Sequence, residues 1–180
     1  MVASKSSHAS SLSENNRIMD MKKIRVVFVC MGNICRSPTA HGVFETKLQE
    51  HKLDHLIDVD SAGTHAYHIG EPADRRSQQT ASKRGYQMDH LRARKVTGLD
   101  FEQFDYVLAM DDDNYRNLES ICPPIYSSKL QMFLDFSTKF DEREVPDPYY
   151  GGAQGFEHVL DLIEDASEGL IRDIRERLSQ

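Results

Sequence analysis

The stretch Ile24 to Val29 reads IRVVFV, and its last four positions are all apolar. A strand patterned this way has no face to give to water, so it belongs inside a parallel sheet covered on both sides. The next residues narrow the choice further. The run ends at Cys30 and passes through Met31-Gly32-Asn33-Ile34-Cys35 to Arg36-Ser37-Pro38. Ala40, Val43, Phe44 and Leu48 then fall at helical spacing, predicting a helix from Pro38 to about His51. Ser37 suits its N-cap and Pro38 its first position, where no amide proton is needed.

The rest of the chain repeats the alternation. Strands are expected at Leu56 to Ser61, ending in the turn Ala62-Gly63, at Phe104 to Met110, and more weakly at Lys129 to Leu134. Residues 73–84 read as a helix closed by Gly85, and Asp111-Asp112-Asp113 as an acidic helix start that suits the helix dipole. The clearest helix runs from about Ala153 to Leu178, with Phe156, Val159, Leu160, Ile163, Leu170 and Ile174 on one stripe. Strands alternating with helices imply right-handed crossovers, a parallel sheet and helices on both faces: a single α/β domain. In such sheets ligands bind beyond the carboxyl ends of the strands, where strand order reverses. Cys30 and Asp111 both sit at such ends.

At 180 residues the chain suits one domain. Residues 1–21, serine-rich and without the apolar core of a signal peptide, are expected to be a disordered extension, leaving residues 22–180 as the domain. A formal charge of −7 argues against nucleic acid and anionic membranes, both of which want a basic footprint. No stretch approaches the roughly 20 apolar residues of a membrane span. An odd count of three cysteines leaves at least one thiol free, which points to a reducing compartment, the cytoplasm.

Cys30 to Arg36 is a C-x5-R segment followed by Ser37. Consecutive amides in a tight loop form an anion nest, and the following helix adds its positive end. Gly32 and Asn33 are residue types that tolerate left-handed backbone. Arg36 offers a two-pronged fork to phosphate oxygens. Such a field favours the thiolate of Cys30, an in-line nucleophile beneath a bound phosphoryl group, and Ser37 can stabilise that thiolate when it leaves. Cleaving a phosphate ester also needs a proton donor. Asp147, stiffened by prolines in VPDPYYGG, is the best candidate, with Tyr149 and Tyr150 as an aromatic wall; the alternative is an ordinary proline-rich loop.

Together, C-M-G-N-I-C-R-S-P and the distant D-P-Y-Y-G resemble the low molecular weight protein tyrosine phosphatases, over Ile24 to about Leu178. The resemblance implies a four-stranded parallel sheet with a phosphate-binding loop after the first strand, no metal, no cofactor, and a cysteinyl-phosphate intermediate. Cys30 matches the nucleophile, Arg36 the phosphate-binding arginine and Asp147 the general acid. Met31, Gly32, Asn33, Ile34 and Cys35 match the loop around the substrate, and Cys35 also a second thiol that protects the first. Asn33, Ser37, Ser61 and His90 match a hydrogen-bond network holding the loop in shape, and Asp111 an acidic residue near the arginine. Tyr67 falls in the variable segment lining the pocket mouth, with Tyr149 and Tyr150 flanking it opposite. His41 stands where the family usually has glutamate, which bears on local helix packing.

The expected function is hydrolysis of phosphotyrosine and small aryl phosphates. Expected partners are a phosphotyrosine protein and a tyrosine kinase, with the enzyme a monomer or weak dimer. The alternatives are an arsenate reductase on the same fold and a non-catalytic phosphotyrosine-binding module. His65 and His68, lacking a third ligand nearby, read as surface polar residues. Arg92-Ala93-Arg94-Lys95 reads as a solvated helix face, and Cys122 as a packed small residue.

Overall fold

A computed structural model describes residues 22–180, so the extension expected over residues 1–21 lies outside the described residues. Strand β1 (Ile24–Cys30) divides its side chains between two cores. Val26 and Phe28 enter one and Val27 and Val29 the other, which is why these four positions are all apolar. The first core is closed by α1 (Arg36–Glu50) and by α5 (Gly152–Leu178). The second is closed by α3 (Gly98–Gln103) and α4 (Asp112–Ile121), which contribute Phe101 and Leu118. Phe28 lies edge-on to Phe44 at 5.5 Å and to Phe133 at 4.9 Å. Burying each such ring is worth roughly 1.5–3 kcal/mol.

Beside β1 run β2 (Ile57–Gly63) and β3 (Tyr106–Ala109), and β4 (Leu130–Met132) extends the sheet, all in parallel. The order β2-β1-β3-β4 reverses at β1, so the loops after β1 and β3 flank the crevice where α/β sheets bind ligands. Helix α2 (Arg75–Lys83) completes the set, capped by the Asp74 carboxylate and left through Gly85 at φ +88°.

Three local expectations change. Helix α1 begins at Arg36, so Pro38 is its third residue and Ser37 lies inside it, not at its cap. The first four amides of a helix have no internal acceptor, so proline costs nothing there, and the Ser37 hydroxyl is free for other partners. Ala62 and Gly63 are the last residues of β2, not a turn. A side chain at Gly63 would meet the Met31 carbonyl at 2.7 Å, so glycine lets the loop after β1 pass across the strand end. Residues 92–95 are extended, not helical. Arg94 is held by Asp60 and Asp100, while its amide donates to Asn33 Oδ1 at 3.0 Å. Helix α3 was not anticipated, although its capping box, Thr97 with Asp100, is legible in the chain.

Candidate active site

The loop from Met31 to Cys35 curls beyond the end of β1. Its shape is set from outside: the carbonyls of Cys30, Met31 and Ile34 accept from the amides of Thr64, His65 and Asp74 at 2.9, 3.0 and 2.7 Å. In a trans peptide the carbonyl and the next N–H point opposite ways, so the amides of Met31, Gly32 and Cys35 turn into the loop. This is an anion nest built from three outward bonds. Asn33 takes the left-handed conformation at φ +55°. Gly32 does not; there glycine admits the His68 ring, which a Cβ would meet at 3.1 Å.

Cys30 is buried at the base of the loop, with Sγ 3.0 Å from Ser37 Oγ. Asn33 Nδ2 donates to the same hydroxyl at 2.8 Å. Arg36 is 4% exposed; its Nη1 donates to Asp111 Oδ2 at 2.6 Å and to the Val145 carbonyl at 3.0 Å. Among the described residues its Nε and Nη2 have no hydrogen-bond partner, so a two-pronged edge is left for an oxyanion. Burial works against the guanidinium charge, but Cys30, Asp111 and Asp147 more than offset it and raise the pKa above its ordinary value.

Val145 also brings in the distant segment. Its amide donates to the Met110 carbonyl at 2.8 Å, which docks the chain against the end of β3 two residues before Asp147. Asp147 is exposed, its Oδ1 accepting from the Tyr149 amide at 3.0 Å. One cleft of ≈ 390 Å³ is lined by Cys30, Met31, Arg36, Asp147 and the aromatic residues Tyr67, Tyr149 and Tyr150, among others. It unites an anion nest, a fixed guanidinium, a thiol and a carboxyl beneath an aromatic rim. That set suits a phosphate ester of a flat, apolar alcohol.

A family model described as low molecular weight phosphotyrosine protein phosphatase matches residues 25–180. The chain belongs to this family. A low molecular weight protein-tyrosine-phosphatase of Streptomyces coelicolor is 41% identical, covering 86% of the chain and 95% of the relative. A protein tyrosine phosphatase crystal structure from Entamoeba histolytica superposes with a TM-score of 0.83 at 47% identity, covering 86% of this chain and 98% of that one. YfkJ from Bacillus subtilis also reaches 0.83, at 37% identity over 88% and 98%.

The cleft takes in every residue expected around the substrate except Asn33, which bonds to Ser37 instead. Asp111 meets the arginine as expected. The supporting network is wired differently. The Ser61 side chain hydrogen-bonds to neither Asn33 nor Ser37; its Oγ faces His41 Nδ1 at 3.1 Å. His90 is half-exposed and meets Glu45 at 3.2 Å, so it approaches Ser61 only by way of Glu45 and His41. The buried His41 ring stands between them.

One lining residue and one that backs the rim were missed. His68 lines the cleft, with Nδ1 2.7 Å from Glu71 Oε2, and its place beside Tyr67 was the available signal. Arg76 lies over the Tyr149 ring at 5.0 Å and steadies that wall; nothing in the local sequence announces it. His65 stacks on Tyr67 at 5.3 Å. Among the described residues no three His, Cys, Asp or Glu side chains are grouped to hold a metal ion.

The Cys35 thiol is 8% exposed, and burial together with the charge of Asp74 pushes it up to about 12.

Proposed function

We propose that this protein tyrosine phosphatase hydrolyses phosphotyrosine in two displacements at Cys30. The phosphate occupies the loop, its oxygens held by the inward amides and the Nε/Nη2 edge of Arg36. The Cys30 thiolate attacks phosphorus; the bond to the tyrosine oxygen breaks, and Asp147 gives its proton to that oxygen. Asp147, now a carboxylate, takes a proton from water as the water attacks the cysteinyl-phosphate. The S–P bond breaks, and the Ser37 hydroxyl steadies the departing thiolate. The proton Asp147 gained is the one it gives in the next turnover.

The observation that carries this reading is the 3.0 Å contact between Cys30 and Ser37 at the floor of a cleft that also holds Arg36 and Asp147. A redox relay for arsenate would need Cys122, which packs with the core on the other face of the sheet from Cys30. The substrate is a phosphotyrosine protein, the product of a tyrosine kinase, and the free thiols suit the cytoplasm. Among the described residues no helix is long and apolar enough to cross a membrane.

Cys30→Ser tests the nucleophile. Turnover of p-nitrophenyl phosphate should vanish while vanadate still binds, because the hydroxyl keeps the loop's shape but is a far weaker nucleophile. Activity within tenfold of the parent would remove Cys30 from this role.

A further inference from the structure

His41 is 6% exposed, and both of its ring nitrogens are engaged inside the protein. Nδ1 lies 3.1 Å from Ser61 Oγ and Nε2 3.1 Å from Glu45 Oε1. Glu45 Oε2 lies 3.2 Å from Nε2 of His90, whose ring opens to solvent. Burial works against the Glu45 charge, but hydrogen bonds from His41 and His90 outweigh it and hold the carboxyl below its usual range. A carboxylate only accepts, so both nitrogens facing Glu45 carry hydrogens. A neutral His41 with its hydrogen on Nε2 has a bare Nδ1, and the Ser61 hydroxyl must donate to it. The direction of that hydroxyl, at the residue just before Ala62, is thereby set.

The end of β2 carries the Ala62 carbonyl, 3.3 Å from Ser37 Oγ. Ser37 has one hydroxyl hydrogen and two acceptors within reach, this carbonyl and Cys30 Sγ at 3.0 Å. Asn33 Nδ2 already donates to its oxygen. How the single hydrogen divides between carbonyl and sulfur depends on where Ala62 stands. We propose that His41 is a positioning residue of the phosphatase reaction: by holding Ser61 it keeps the Ala62 carbonyl at the longer distance and leaves the Ser37 hydrogen to Cys30. The proposal rests on Cys30 as nucleophile and Ser37 as its partner.

Alkylation of Cys30 by iodoacetamide, followed across pH by peptide mapping, reads the thiolate without turnover. The variants are His41→Leu, which fills the space without polar atoms, and Ser61→Ala, which removes the hydroxyl from the other side. His41→Asn completes the set, keeping a polar atom near the place of Nδ1. On the acidic side of the alkylation midpoint, His41→Leu and Ser61→Ala should each slow the reaction about fivefold, the effect of losing one net hydrogen bond. The double variant should be no slower than either single one, and His41→Asn should return to within about twofold of the parent.

Parent-like alkylation in His41→Leu, whatever its urea midpoint, would reduce His41 to packing, and additive losses in the double variant would also overturn the proposal. If His41→Leu does not fold, Ser61→Ala decides alone, and a parent rate there overturns it. Failure of the nucleophile reading is separate: it appears as turnover retained by Cys30→Ser.

Discussion

Arg36 Nη1 donates to Asp111 Oδ2 at 2.6 Å, tying the loop after β1 to the loop after β3. The pair is nearly closed to water, with side chains 5% and 18% exposed. Asp111 is also the N-cap of α4, accepting from the Asn114 amide at 2.7 Å with its other oxygen. One carboxylate therefore aims the guanidinium and anchors a helix.

Asp111→Asn separates those tasks, because asparagine caps a helix as well as aspartate does. Removing a nearby negative charge favours phosphate, whereas loosening Arg36 disfavours it. The second effect should win, since a buried hydrogen bond to a charged group is worth about 1.5–3 kcal/mol. The KM for aryl phosphates should rise by about tenfold with a smaller loss of kcat. Asp111→Ala should in addition lose about 1 kcal/mol of stability with the cap. Steady-state kinetics and urea unfolding check both, and an unchanged KM would count against the aiming role.

Asp147→Asn should slow hydrolysis of phenyl phosphate and phosphotyrosine by ~10²–10⁴, the usual span for general-acid catalysis. Esters with acidic leaving groups need less protonation and should lose much less. Equal losses across a series of substituted phenyl phosphates would exclude the acid role.

Cys35, held up at about 12, is a thiol at neutral pH. Peroxide should therefore take Cys30 first, since oxidation follows the thiolate. We expect Cys35 to capture the resulting sulfenic acid as a Cys30–Cys35 disulfide, with loss of water. After peroxide and then dithiothreitol, parent activity should return and that of Cys35→Ala should not. Equal recovery, or a mapped bridge to Cys122, would leave Cys35 as packing.

Asp165 on α5 accepts from the Ser137 hydroxyl and from the amides of Thr138 and Lys139, fastening the chain beyond β4 to the last helix. Burial raises its pKa, but these hydrogen bonds win and hold the carboxyl below its ordinary value. A depressed folded value means stability that is present above the unfolded carboxylate pKa of about 4 and lost as pH falls through the lower folded one. Asp165→Asn should be less stable than the parent at pH 7 by about 1–3 kcal/mol. The gap should narrow below about pH 4. Urea unfolding at pH 7 and pH 3 measures it, and a gap independent of pH would assign the loss to shape alone.

The residues of the candidate site that stand in immediate sequence were legible. Cys30, the Met31 to Cys35 loop and Arg36 follow one another, so local backbone preferences and a buried strand were enough to place nest, thiol and guanidinium together. The same logic found every strand, with errors of no more than two residues at their ends, and all the α-helices except the six residues of α3.

Tertiary structure decided which distant groups meet them. Asp111 and the Val145 carbonyl reach Arg36 only because strand order reverses at β1 and brings the end of β3 alongside. His90 was expected at the loop and instead ends at Glu45, while Ser61 answers to His41, a residue whose helical position said only that it would be buried. Local pattern tells which face a side chain occupies. Which of several polar neighbours it bonds is settled by distances of a few tenths of an ångström, and packing across the sheet sets those.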